Sequence, residues 1–262
     1  MDLKLVMGID VGASGIKGGI VDTSTGEMLT ERLKVATPMP STPMAMARAF
    51  KELVNMHQWK DGLIGVGFPS IVIDGVALSA ANIDAQWIGT NIEKVFGDVT
   101  GCPVVAVNDA DAAGIAEVQF GVGKDEKGTV ILITIGSGLG SAVFTDGHLV
   151  RNTEFGHFIL KGKVAEHYAS DKARQEEKLS WEEWGERFNR YLLHLNRLMS
   201  PNVIILGGGT SKKYDKFSAQ ITLNVPIKIA NYRNKAGAIG AAIYASQEMR
   251  KRSDTTKAEF VK

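Results

Sequence analysis

A single cysteine, Cys102, stands in the 262 residues, which excludes an intrachain disulfide and any multi-cysteine zinc site. Placed just before Pro103 and an apolar run, that thiol reads as a structural side chain. Long hydrophobic runs are missing too: the longest, around 130–135, falls far short of the roughly 20 residues that span a bilayer. The chain reaches Gly8 and Asp10 too soon to hold the apolar core of a signal peptide. Neither sign of charge is in excess. With a formal net charge of +1, neither nucleic acid nor a membrane is an expected partner, although a local basic groove is compatible with it. Cytoplasm is the expected compartment.

At 44% hydrophobic and 23% charged residues, the composition is that of a well-cored globular protein, long enough for one large domain or two modest ones. Apolar runs at 3–9, 16–21 and 28–35, separated by Gly12-Ala13-Ser14-Gly15 and Thr25-Gly26, predict three strands. Pro38, Pro40 and Pro43 make a stiff connector before a helix at 44–56. Buried strands follow at 63–68 and 104–107, the latter running straight into a helix at 108–119. A second set opens at Gly128, with strands at 129–135 and 141–144 joined by Gly136-Ser137-Gly138-Leu139-Gly140. After a polar stretch at 171–178, expected on the surface, Ser180 and Glu183 form a capping box for a helix to about 199. Its apolar positions Trp181, Trp184, Phe188, Tyr191, Leu195 and Leu198 predict one packed face, for a core or a dimer. Pro201 ends that helix, and a strand at 203–206 enters Gly207-Gly208-Gly209. A short helix, a strand near 225–229 and a small-residue helix from 236 to about 248 follow. The plan is two α/β units, each opening with strand, glycine turn, strand. The expected N-terminal domain is 1–108, joined by the C-terminal helix 236–250; the second is 109–235, and 251–262 is a charged tail expected to fray.

Glycine turns let backbone N–H groups approach phosphate oxygens with no Cβ in the way. The three turns fit no single familiar motif. None has the Walker spacing, and no nucleophile elbow surrounds Ser14 or Ser137. The 136–140 segment superficially resembles a dinucleotide fingerprint but leads into a strand, where that fingerprint must open a helix. Two hairpins and one strand-to-helix turn, facing a phosphate from different sides, are implied. Asp10 suits Mg²⁺, directly or through water, and Lys17 suits phosphate charge. A turn-forming acid and an exposed strand lysine are the bland alternatives.

Gly8-Ile9-Asp10-Val11-Gly12-Ala13-Ser14-Gly15-Ile16-Lys17, Thr134-Ile135-Gly136-Ser137-Gly138-Leu139-Gly140 and Leu206-Gly207-Gly208-Gly209 together resemble the two phosphate motifs and the adenosine motif of the actin/hexokinase/Hsp70 superfamily. Asn108-Asp109-Ala110-Asp111-Ala112-Ala113 and Glu154-Phe155-Gly156-His157 narrow the resemblance to ROK-type sugar kinases. Segments 81–84, 87–90, 179–184, 189–192 and 209–213 are similar to the polyphosphate-using glucokinases of that family. The resemblance implies an α/β, two-domain actin-like ATPase (ribonuclease H-like) fold with an active-site cleft between the domains. It implies phosphorylation of the 6-hydroxyl of glucose, or of mannose, from polyphosphate and/or ATP with Mg²⁺, in a homodimer. Donor binding falls by resemblance to Asp10, Gly12, Ala13, Ser14, Gly15, Lys17, Gly136, Ser137, Gly138, Gly208, Gly209 and Lys212. Sugar binding falls to Asn82, Asn108, Asp109, Glu154, His157 and Glu166. Most ROK members carry a cysteine-rich zinc motif after Glu-x-Gly-His; residues 157–166 hold no cysteine, so no zinc is expected and packing must order that loop. Repressors of the family carry an N-terminal DNA-binding domain, whereas this chain opens on its first strand.

Each hexose hydroxyl donates and accepts, which amides, carboxylates and a neutral imidazole can read. Glu154 and His157 also have Glu-x-x-His metal spacing, but di-metal sites need a second copy. By the resemblance, Asp109 takes the proton of the 6-hydroxyl as it attacks the donor. Asp111 competes, yet two residues turn a helix by about 200°, so the two cannot face one oxygen. Asn108 and Asp109 also suit helix capping, and a helix N-terminus keeps a carboxylate ionised. Polyphosphate needs a basic track, for which Lys212, Lys213 and Lys216, with Lys161 and Lys163, are candidates; a solvated face is the alternative. A strictly ATP-dependent kinase, a non-catalytic sugar sensor and an actin-like assembly protein are the rival readings.

Overall fold

The computed structural model describes residues 3–260, with side chains through residue 254. The chain forms two compact units, Met1–Ala116 with Lys235–Lys262, and Glu117–Asn234.

In the first unit, β1 (Leu5–Gly12) and β2 (Gly15–Asp22) make an antiparallel hairpin. β3 (Glu27–Met28) and β4 (Leu33–Val35) both pair with β2. One strand was expected over 28–35. Instead residues 29–32 leave the ladder, and the Thr30 hydroxyl accepts from the Ile20 N–H at 3.0 Å. α1 (Pro43–Met56) leads to β5 (Ile64–Phe68), parallel to β1. The small hairpin β6 (Val72–Ile73) and β7 (Val76–Ala77), then α2 (Ile92–Thr100), precede β8 (Val104–Asn108), parallel to β5. The sheet order is β3-β2-β1-β5-β8. β5 and β8 are buried at every residue, as parallel strands covered on both faces are. Phe50 stacks on Phe96 at 4.0 Å and Phe68 meets Trp87 edge-on at 4.7 Å, closing the core beside α1 and α2. The C-terminal helix (Ala236–Phe260) lies so close to this sheet that a Cβ on Gly65 would fall on the Ala241 carbonyl. Helical backbone continues through Phe260, within the tail expected to fray; residues 261 and 262 of that tail lie outside the described residues.

α3 (Asp109–Gln119) contains the boundary between the units. The second unit then builds an antiparallel ladder from β9 (Thr129–Ile135), β10 (Leu139–Thr145) and β11 (His148–Val150). The hairpin β12 (Ile159–Leu160) and β13 (Lys163–Val164) leads into α4 (Ala165–Ala169), α5 (Asp171–Glu176) and α6 (Trp181–Met199). β14 (Val203–Gly207) and β15 (Ile227–Ile229) complete the sheet in parallel, in the order β11-β10-β9-β14-β15. Both sheets therefore share one succession: an antiparallel run at one side and two added parallel strands at the other. α6 begins on the expected capping box, with the Ser180 hydroxyl accepting from the Glu183 N–H (3.1 Å) and the Glu183 carboxylate from the Ser180 N–H (2.8 Å). Trp184, Phe188, Tyr191 and Leu195 are fully buried, but Leu198, in the last turn, is 55% exposed and lies off the packed face. α5 keeps the 171–178 stretch at the surface, with Ala173 its buried residue.

Candidate active site

The turn after β1 is a two-residue reversal in which Gly12 pairs with Gly15, leaving Ala13 and Ser14 exposed. Asp10 and Lys17 face one another in the ladder. The Asp10 carboxylate lies against the first turn of the C-terminal helix, where a Cβ on Gly237 would come within 3.0 Å of Oδ1. Burial raises the Asp10 pKa above the ordinary aspartate range, while Lys17 and Arg32 pull it down. β4 brings a further cation: Lys34 pairs with Lys17 across the ladder, and its side chain lies over Gly15. Neither Arg32 nor Lys34 was anticipated. The signal was the pairing of β4 with β2, hidden when 28–35 is read as one strand.

The second and third turns sit side by side at the ends of the paired strands β9 and β14. Gly136 donates to the Gly138 carbonyl at 3.1 Å, and the Lys172 N–H of α5 donates to the Gly136 carbonyl at 3.3 Å. Gly208 has φ +78, and a Cβ there would strike the Ile135 backbone, so both its conformation and its contact require glycine. As expected, the third turn runs from strand to helix; the helix is the short 3₁₀ segment Thr210–Lys216, fastened by Ser211 Oγ donating to the Gly208 carbonyl at 2.8 Å. Beside it lies a cavity of about 490 Å³ lined by Ser211, Lys212, Tyr214, Asp215, Ile229, Ala230 and Arg233.

Glu154, His157 and Glu166 come together. His157 Nδ1 is 3.3 Å from Glu154 Oε2, and its Nε2 is 3.8 Å from Glu166 Oε1. Glu154 is pushed above its ordinary pKa, chiefly by burial; His157 opposes the shift and Glu166 adds to it. Glu166 reaches further: its Oε2 lies over Gly138 and accepts from the Leu139 N–H at 3.3 Å. The Glu154–His157–Glu166 cluster and the Gly136–Gly140 hairpin thus share a hydrogen bond. The intervening loop is ordered by packing, with Phe158 stacked on Tyr191 at 5.4 Å and the Glu166 N–H donating to the Gly156 carbonyl at 2.9 Å. Among the described residues, no group of three or more His, Cys, Asp or Glu is arranged to hold a metal ion.

Asn108 ends β8 and caps α3, its Oδ1 accepting from the N–H groups of Ala110 (2.8 Å) and Asp111 (3.0 Å). Its amide donates to the Ser70 carbonyl at 3.1 Å, and Ser70 Oγ donates to the Ser79 carbonyl at 2.8 Å. Asn82 lies just beyond that anchored stretch and is exposed. Asp109, the first residue of α3, is partly exposed, whereas Asp111 is fully buried. Asn82, Asn108 and Asp109 belong to the first unit; Glu154, His157 and Glu166 belong to the second.

Residues 6–174 match the model of the ROK family. A polyphosphate glucokinase of Mycobacterium tuberculosis (strain CDC 1551 / Oshkosh) is 44% identical over 237 residues, covering 90% of this chain and 89% of its own. The solved inorganic polyphosphate/ATP-glucomannokinase from Arthrobacter sp. strain KM is also 44% identical, with a TM-score of 0.90 over 93% of this chain and 99% of that one. A ROK family glucokinase from Streptomyces griseus, solved in complex with glucose and AMPPNP, is 26% identical, with a TM-score of 0.79 over 93% of this chain and 99% of its own.

Proposed function

The chain belongs to the ROK family, with its actin-like α/β fold, and we propose that it transfers the terminal phosphoryl group of inorganic polyphosphate, and of ATP, to the 6-hydroxyl of glucose. The observation that supports this reading is the bond from the Leu139 N–H to Glu166, which joins the Glu154–His157–Glu166 cluster to the Gly136–Gly140 glycine hairpin. Mannose, as a glucomannokinase would take it, is the second acceptor.

Asp109 takes the 6-hydroxyl proton as that oxygen attacks the terminal phosphorus and the bond to the next bridging oxygen breaks. Asp109 stands in the first turn of α3, where a helix N-terminus favours negative charge, and Asn108 fixes the turn on which it stands. Glu154, His157 and Glu166 hold other sugar hydroxyls, and Asn82 is assigned a further one. Backbone N–H groups of the turns at Gly12–Gly15, Gly136–Gly138 and Gly208–Gly209, with Lys17 and Lys212, offset the charge spread over the transferring group. Mg²⁺ would be held by Asp10 together with donor oxygens, as suits an ion bound by one carboxylate and phosphates, and would supply further charge neutralisation. The cavity beside Thr210–Lys216 seats the nucleoside when ATP is the donor.

The protein acts as a homodimer, for which Leu193 and Leu198, 40% and 55% exposed on α6, offer a surface; a monomer in sedimentation equilibrium would end that part. No described helix is long and apolar enough to cross a membrane, and the working compartment is taken to be the cytoplasm. The test is glucose 6-phosphate formation with Mg²⁺ and either polyphosphate or ATP. Turnover with ATP alone leaves a strictly ATP-dependent glucokinase. Sugar binding without turnover on either donor leaves a sensor.

A further inference from the structure

Three cations gather on one indole. The Arg174 guanidinium carbon lies 4.0 Å from the Trp181 ring centroid, and the Nζ atoms of Lys213 and Lys216 lie at 5.2 and 5.9 Å. The ring is held by the fully buried Phe217, stacked at 6.3 Å, and by Trp184, edge-on at 5.8 Å, so it is a fixed platform. Arg174 is balanced by Asp171, with Nε to Oδ1 at 2.7 Å. Lys213 and Lys216 are exposed, and neither forms an ion pair among the described residues. Lys163, another cation suggested by the sequence, is instead drawn to Glu177 at 3.8 Å. Like charges brought to one ring repel, and the ring only partly offsets that cost; a multivalent anion would offset the rest.

The element that carries these lysines also borders the cavity. Lys213 and Lys216 belong to Thr210–Lys216, whose Ser211, Lys212, Tyr214 and Asp215 line the 490 Å³ cavity. They are the positive charges that follow Lys212 along that element. With Arg174, Lys213 and Lys216 drawn up to the ring, the indole is a poor stacking platform, which disfavours nucleic-acid bases and favours an anion with no bases to stack.

We propose that Lys213, Lys216 and Arg174 on Trp181 form an accessory subsite for the distal phosphoryl units of long-chain inorganic polyphosphate; the proposal rests on the donor reading above. The full-length protein is titrated by calorimetry with long-chain polyphosphate, tripolyphosphate and ATP, without glucose, so that binding is read apart from turnover. In Lys213→Ala/Lys216→Ala, long-chain affinity is expected to fall about tenfold, and the slope of log K against log salt to shrink by about 1.4, at roughly 0.7 per cation for a single-stranded polyanion. Tripolyphosphate and ATP should bind as before, and Lys213→Arg/Lys216→Arg should restore the long chain. Lys124→Ala/Lys127→Ala removes equal charge from exposed residues elsewhere in the unit and should change nothing. Unchanged long-chain affinity, an equal loss for all three donors, or an equal loss in the control pair would overturn the subsite. A wild-type protein that binds long chains through these lysines yet phosphorylates glucose only from ATP would refute the donor reading and leave the subsite standing. Turnover from polyphosphate with unaltered long-chain affinity in the lysine variant would refute the subsite alone.

Discussion

Asp109 and Asp111 are the same amino acid two positions apart, and burial separates them: Asp111 is sealed in the core while Asp109 stands partly open at the start of α3. Their divergence was legible in the sequence because helix geometry forbids both from facing one oxygen. Asp109→Asn is expected to cut kcat by about 10²- to 10⁴-fold, the usual worth of a positioned base, and to leave glucose affinity by calorimetry nearly unchanged. Near-normal turnover would remove Asp109 from the mechanism. Asp10 makes a prediction of the opposite kind. Its folded pKa is raised, so ionising it costs stability as pH climbs from the unfolded aspartate value near 3.8 through the folded one. Without Mg²⁺, Asp10→Asn should therefore melt higher than the parent at neutral pH, with the gap closing in acid, while activity is lost. A variant that melts lower at pH 7 would contradict the desolvation argument.

Among the elements, those with a strong local signal were read correctly and those held by distant contacts were not. The capping box of α6 is such a local signal, and Ser180→Ala should cost about 1 kcal/mol in chemical denaturation. α2 is the exception: its cap Asn91, its terminating Gly101 at φ 73 and its apolar face with Ile92 and Phe96 were local signals that went unread. The break between β3 and β4 is set by Thr30 bonding to β2, a partner ten residues back that no local pattern reveals. The C-terminal helix was legible as a run of small residues, but the reason for them lies in the sheet beneath. Gly65→Ala puts a methyl group on the Ala241 carbonyl, and because backbone must move, a loss of about 1–3 kcal/mol is expected in thermal or urea melts. An unchanged midpoint would mean the helix sits more loosely than its contacts imply.

For the whole molecule, the repeated opening of strand, glycine turn and strand foretold two sheets of one plan, and both have it. Which residues of distant segments would meet was less accessible. The meeting of Glu154, His157 and Glu166 was anticipated through family likeness, since nothing in local pattern ties residue 166 to 154. That Glu166 also grips the hairpin at Leu139 was not anticipated at all. This bond has a thermodynamic corollary. If a donor on the Gly136–Gly138 turn and a sugar on the Glu154–His157–Glu166 cluster both act on this carboxylate, the factor by which donor tightens glucose must equal the factor by which glucose tightens donor, because the four equilibria close a cycle. Measured with a donor analogue that cannot transfer, the two factors should agree and exceed one, and in Glu166→Gln both should move toward one together.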